Sequence, residues 1–285
     1  MRHPSRGSFA RVARRAVWVL ASAFAAAACG GATLNPDRSI AVYALANEAF
    51  YKGRLREALG HVEESLSHDP GNPDAALLGA SVYLAFCDRD EQSTDCRYEL
   101  AEQYARKAIA SAGDNREFDV ARRHATNLLG VVLTNRGEKL DEAVELFKSL
   151  TLDIQYDTPY LAWGNLGQAY LKSGKVDEAI DALRRATADQ PKFCVGHYRL
   201  GLAFEKKKQP ELAVESFTRA LDVLGPDNKP LCGAMQVAYE DRARVLSAMQ
   251  RTDEARADLV RCRDVAPQTR SGQRCAAALA ASSKP

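Results

Sequence analysis

A degenerate pattern returns six times along this chain at intervals of about 34 residues, and it limits the folds open to it. The clearest copy runs from Tyr160 to Phe193. It carries Trp163, Leu166, Gly167 and Tyr170, then Ala179, Leu183 and Ala186, and finally Pro191. At 3.6 residues per turn the first four share one face of a helix, and the next three share one face of a second. Gly167 and Ala179 are small, so two backbones can cross closely there, and Pro191 ends the second helix. One such pair cannot bury its own apolar face, so successive pairs must stack.

The same offsets locate the other copies. The first runs from Ser39 to Asn72, and its internal packing is expected from Leu45, Ala46 and Ala58. The second begins at Pro73 and uses Ala76, Gly79, Ala80 and Tyr83, then Ala101, Ala105 and Ala108. Nine extra residues separate its two helices, within the stretch from Cys87 to Cys96. The third carries Leu129, Gly130, Leu133, Ala143 and Phe147; the fifth carries His197, Leu200, Gly201, Phe204, Ala213 and Phe217. The sixth carries Tyr239, Ala243, Leu246, Ala255, Leu259 and Cys262. The pattern matches the tetratricopeptide repeat. It predicts an all-α chain: a right-handed superhelical solenoid of about six tetratricopeptide repeats over 39–270, with a C-terminal capping helix and tail over 271–285. Turn residues fall between repeats at Asp69-Pro70-Gly71-Asn72-Pro73, and acids open second helices at Asp177-Glu178 and Asp253-Glu254.

Ahead of the repeats stand Arg2, Arg6, Arg11, Arg14 and Arg15 without an acid, an apolar run from Ala16 to Ala28, and Cys29. A basic start followed by a short apolar run is a secretory leader, here 1–28. The run is too short to span a bilayer, which takes about 20 residues. Ala26-Ala27-Ala28-Cys29-Gly30 resembles a bacterial lipobox, with Ala26 where Leu is usual. The alternative is an ordinary Ala-x-Ala cleavage that leaves Cys29 a free thiol. We read Cys29 as lipidated, because the apolar run ends at the only cysteine in the region, and 29–38 as the tether. The full chain has 39 Lys and Arg against 37 Asp and Glu; without the leader, 34 basic residues face 37 acidic ones. The apparent basic balance belongs to the leader, so nucleic acid is not an expected partner.

Six cysteines remain: Cys87, Cys96, Cys194, Cys232, Cys262 and Cys275. An even number in an exported chain suggests disulfides, with fifteen pairings open. Position in the repeats favours Cys87 with Cys96, flanking the insertion, Cys194 with Cys232, at the starts of adjacent repeats, and Cys262 with Cys275, joining the last repeat to its cap. Buried free thiols are the alternative, above all for Cys262. Cysteines and histidines do not cluster, so no metal or cofactor is expected. The motifs of nucleophilic, phosphate-binding and zinc enzymes are missing, and His197 fills a packing position, so the chain reads as a non-enzyme without a small-molecule substrate.

By analogy with the repeat family, the second, fifth, ninth, twelfth and thirteenth positions of each repeat line a groove. The groove lacks the lysine and asparagine cluster that holds a peptide carboxylate in chaperone-binding members; His124 with Asn127 is only a fragment of it. The N-terminal repeats place Tyr43, Asn47, Phe50, Tyr51, Leu77 and Leu84 there. Such apolar groups fit a partner segment, unless the tether or a neighbouring helix covers them.

Asn127-Leu128-Leu129-Gly130, then Tyr156-Asp157-Thr158-Pro159-Tyr160 leading into Asn165-Leu166-Gly167-Gln168-Ala169-Tyr170, and Phe193-Cys194-Val195-Gly196-His197-Tyr198-Arg199-Leu200-Gly201 resemble the type IV pilus pilotins, the group called Tgl, PilF or PilW. The resemblance implies a lipoprotein on the periplasmic face of the outer membrane, held through its lipid anchor. It implies that secretin subunits of the type IV pilus are the partner, scaffolded during their assembly for pilus biogenesis and twitching or gliding motility. Gly30, in place of an inner-membrane retention Asp, agrees with outer-membrane sorting. The other reading is a periplasmic adaptor that recruits cell-wall synthases or hydrolases.

Overall fold

The computed structural model describes residues 34–89, 92–225, 231–232 and 235–282. The leader, Cys29 and the first tether residues lie outside the described residues, as do 283–285. Among the described residues thirteen α-helices follow one another and no strand forms. They pair as α1 (Pro36–Tyr51) with α2 (Leu55–His68), α3 (Pro73–Arg89) with α4 (Tyr98–Ala112), and α5 (Asp119–Arg136) with α6 (Leu140–Leu152). Next come α7 (Pro159–Lys172) with α8 (Val176–Asp189), α9 (Cys194–Lys206) with α10 (Pro210–Asp222), and α11 (Gln236–Ala248) with α12 (Thr252–Val265). The capping helix α13 (Arg270–Ser282) packs on α12 and α11. The chain is a tetratricopeptide-type solenoid of consecutive helix pairs.

α1 starts earlier than the repeat spacing suggests. Pro36 sits in its first turn, where an N–H would have no partner, and the Asn35 side chain accepts from the Arg38 amide at 3.0 Å. The stretch 29–38, expected to be tether, therefore already contains the first helical turn. Within each pair a turn of a few residues reverses the chain. Gly174 takes a φ of 75° there, a left-handed conformation glycine adopts without strain. In repeats five and six the same turn is made by Lys208 and Gln250, at φ 59° and 61°.

A glycine on the first helix repeatedly receives a large side chain from the second. Gly130 faces the Phe147 ring, Gly201 the Phe217 ring, Gly79 the Tyr104 ring and Gly167 the Leu183 side chain. Phe147, Phe217 and Leu183 are completely buried by this arrangement. Leu166 joins the apolar cluster of the preceding repeat, with Leu129, Val144 and Phe147. Leu45 occupies the same repeat position, but no described repeat precedes it. It is 49% exposed, which corrects the expectation that it carries internal packing; Ala46 and Ala58 are fully buried.

Polar links join neighbouring helices. Glu102 on α4 accepts from Arg136 at 2.6 Å and from Arg106 and Lys139 at 2.9 Å. Burial pushes its carboxyl up, but the bonds from Lys139 and Arg106 outweigh that and hold it below the usual range. Arg242 grips Asp258 through two bonds of 2.7 Å and ties α11 to α12. Three disulfides pair Cys87 with Cys96, Cys194 with Cys232 and Cys262 with Cys275, the pairs favoured by their positions in the repeats.

Candidate binding groove

Curvature follows from which helices touch. α1 packs on α3, α3 on α5, α5 on α7 and α7 on α9, whereas no pair of second helices packs comparably. The first helices therefore form the tighter, inner layer, and their free faces line the groove. The second helices form the outer layer.

The N-terminal part of this surface is apolar but less free than its sequence suggests. Tyr43, Phe50 and Leu77 are half-buried and pack against the first core cluster, so they contribute to the fold as well as facing the groove. Asn47 and Leu84 are also half-buried. Ile40 and Tyr51 are truly exposed, at 61% and 80%, and Tyr51 meets Phe50 edge-on with ring centroids 6.0 Å apart. Burial raises the Tyr43 hydroxyl above its ordinary value, helped by the charge of Asp74, whose own carboxyl is raised by burial. Of the three aromatic side chains here, Tyr51 is spare to the repeat's packing, whereas Tyr43 and Phe50 are not. Cys29, the expected lipidation site, lies outside the described residues.

Further along, the groove floor turns polar. His124 stands 3.7 Å from Asp157 and meets the Tyr156 ring. Asn127 is instead bonded to Asn165, whose amide nitrogen donates to the Asn127 oxygen at 3.0 Å. The Asn165 oxygen accepts from Arg199 at 2.9 Å. Tyr198 donates to Asp241 at 2.8 Å, and Arg244 bridges Asp241 and Glu205. Burial drives the Tyr198 hydroxyl and the Asp241 carboxyl upwards, with the charge of Asp241 adding to the effect on Tyr198. Lys172 donates to the Asn135 carbonyl at 3.1 Å.

The sequence reading passed over Asn165, Arg199 and Asp241 because all three occupy the sixth repeat position, which it did not assign to the groove. The signal was present. That position holds Ala44, Leu78 and Leu128 in the first three repeats and switches to Asn165, Arg199 and Asp241 in the last three. Elsewhere, His197 is buried as a packing residue, with Nε2 3.0 Å from the Pro191 carbonyl. Among the described residues, Glu240, Cys262 and Cys275 bring potential metal-binding atoms together, but the two sulfurs are joined to each other. What the arrangement offers is a long surface, apolar at one end and rich in hydrogen-bond donors beyond it, suited to an extended or helical protein segment.

A tetratricopeptide-repeat family profile matches residues 165–229. No curated protein matches the chain. Among solved structures, the chain resembles PilW, described as a widely conserved type IV pilus biogenesis factor. The TM-score is 0.64 at 23% identity, over 84% of this chain and 99% of that one. It resembles pilF of Pseudomonas aeruginosa with a TM-score of 0.61 at 17% identity, over 85% of this chain and 98% of that one. A chain of the APC/C Cut9-Hcn1 hetero-tetramer gives 0.66 at 16% identity, over 88% of this chain but 43% of that one. At these identities the likeness is one of fold: a tetratricopeptide-repeat solenoid, similar in extent to the pilus biogenesis proteins.

Proposed function

We propose that this protein is a lipid-anchored pilotin that holds secretin subunits of a type IV pilus while they assemble in the outer membrane. The observation that carries the reading is extent. Nearly the whole length of PilW and of pilF superposes on this chain, whereas less than half of the similarly folded Cut9-Hcn1 chain does. The lipobox-like Ala26-Ala27-Ala28-Cys29 ahead of the first repeat supports the same reading.

The mechanism is scaffolding. Acyl chains on Cys29 confine the groove to the periplasmic face of the membrane, which raises its effective concentration beside the partner without any new contact. The groove then binds a secretin segment until the ring closes. The test is an affinity capture from membranes with a tagged chain, beside its Cys29→Ala variant. Secretin should be retained by the parent. The variant should be folded, leave the membrane fraction and fail to support assembly at normal expression. Capture of cell-wall synthases or hydrolases in place of secretin would replace this reading with the adaptor one, and Cys29→Ala protein that stays in the outer membrane would remove the anchor.

A further inference from the structure

The last three repeats carry an arginine at one offset on the second helix: Arg185, Arg219 and Arg261. In repeat four Arg185 lies over the Trp163 ring, 4.7 Å from its centroid. In repeat six Arg261 stands 6.0 Å from the centre of the Tyr239 ring. Trp163 and Tyr239 share an offset of their own on the first helix, and at that offset repeat five has His197. Repeat five has thus kept the cation and lost the ring. Among the described residues no Phe, Tyr or Trp ring stands beneath Arg219. Arg219 bonds Glu215 at 2.6 Å, one turn back on α10. Such a bond runs along the edge of the guanidinium and is compatible with a ring on its face.

The space a ring would take is open. Between α8 and α10, on the outer layer, runs a cleft of about 670 Å³. His197, Leu200 and Phe204 of α9 line it, with Arg184 on one side and Arg219 on the other. Arg184 already lies over the Phe204 ring at 5.5 Å, so the cleft holds one stacked cation and one unstacked. His197 is buried and smaller than the tryptophan of repeat four. Its Nε2 faces the Pro191 carbonyl at 3.0 Å. A carbonyl only accepts, so Nε2 carries the proton and Nδ1 is left a bare acceptor, buried and without a partner among the described residues. His197 therefore occupies the position without completing it. The undescribed residues after the leader, 29–33, 90–91, 226–230, 233–234 and 283–285, contain no Phe, Tyr or Trp, so they do not supply the ring.

We propose that this outer cleft is a docking site for a partner protein, which inserts an aromatic side chain beneath Arg219 as Trp163 lies beneath Arg185. The neighbouring repeats fix the chemistry of the occupant. A guanidinium attracts the electron-rich face of a ring, and Leu200 and Phe204 give that ring an apolar floor. An aliphatic side chain would leave the guanidinium unused. An acidic one would compete with Glu215 and meet Asp222, which also lines the cleft. The cleft belongs to the outer layer, so the inference stands apart from the secretin reading and is compatible with an occupied groove.

The cleft can be tested by NMR with N-acetyltryptophan amide as probe and N-acetylleucine amide as control. In arginine-labelled protein the tryptophan probe should move the Arg219 Nε–H resonance upfield and saturably, through its ring current. The resonance of Arg256, exposed on α12, should stay, and the leucine control should move neither. No saturable Arg219 shift, or one matched by Arg256 or by the leucine control, would overturn the inference. Arg219→Ala, at an exposed side chain, should keep the fold and weaken probe binding about two- to fivefold, read on the His197 imidazole; unchanged affinity would overturn the inference as well. His197→Trp should fill the cleft from within, as repeat four does, and remove the unpartnered acceptor. It should melt at or above the parent's temperature and lose the probe response, and a folded His197→Trp protein that still responds would count against the site. Sedimentation separates a second copy from a different protein: a dimer that His197→Trp dissociates would put another copy's ring in the cleft and overturn the partner assignment.

Discussion

The glycine beneath each buried ring gives the sharpest test of the stacking argument. A methyl group added at Gly201 would stand 2.5 Å from Phe217 Cδ1, 2.6 Å from Cε1 and 3.0 Å from Cγ. Carbon atoms settle at about 3.5–4.0 Å, so the ring or the helix must move by roughly 1 Å. Phe217 is completely buried and packs in one cluster with Leu200, Ala213 and Val245, which leaves it little room. Overpacking of this kind costs about 1–3 kcal/mol, and alanine returns about 1 kcal/mol of helix propensity, so Gly201→Ala should lose about 1 kcal/mol or somewhat more. Gly60 is the control. It is exposed on α2 with nothing within 4 Å of the added carbon, so Gly60→Ala should gain about 0.5–1 kcal/mol. The two variants should move the urea midpoint in opposite directions and differ by about 2 kcal/mol. Circular dichroism during urea unfolding reads this, and Phe217→Leu added to Gly201→Ala should recover part of the loss. If Gly201→Ala matches or exceeds the parent, the close crossing does not depend on glycine and the packing argument fails.

Three further outcomes follow from particular residues. Tyr51→Ala should weaken partner capture with little change in stability, whereas Phe50→Ala should lower both, since Phe50 also packs on the first core cluster; equal binding by both variants in a pull-down would move the docking site elsewhere. Peptide mapping without reductant should recover Cys87 linked to Cys96, and Cys87→Ser with Cys96→Ser should cost about 2–4 kcal/mol and make the insertion easier to cleave; six free thiols in the map would refute the pairing. Burial, with Arg219 nearby, holds the His197 imidazole below its ordinary value, so the unfolded chain binds this proton at a higher pH than the folded one. Stability should therefore fall as pH drops below about 6.5, and less so in His197→Gln, which thermal melts across that range will read.

The stack was legible in the sequence because its determinants are local and repeated. Gly167 with Leu183, and Gly201 with Phe217, stand at fixed offsets, and an offset that returns every 34 residues or so survives much substitution. The cystines were legible for a related reason: each lies where the repeat is interrupted or ended, so the repeat itself fixes which sulfurs come near one another. Leu45 shows the limit of that reasoning. Its offset is that of Leu166, but burial at this position is supplied by the preceding repeat, and the pattern does not record that no described repeat precedes the first copy.

The groove was less legible because facing it and packing beneath it are not exclusive. Tyr43 and Phe50 do both, and offset alone assigned them to recognition. The opposite error hid Arg199. Its position in the repeat is a packing position in Leu78 and Leu128, so a charge there reads as an irregularity until the neighbours are in view. Asn165 one repeat back and Asp241 one repeat on occupy the same offset, and they settle the matter differently. Asp241 lies near Arg244 and Tyr198 and is satisfied within the chain. Asn165 passes its donor on to Asn127 and gives its acceptor to Arg199. Of the three, only Arg199 has a charge without an opposite charge in ion-pair distance among the described residues, and its bonds go to the neutral oxygens of Gly164 and Asn165.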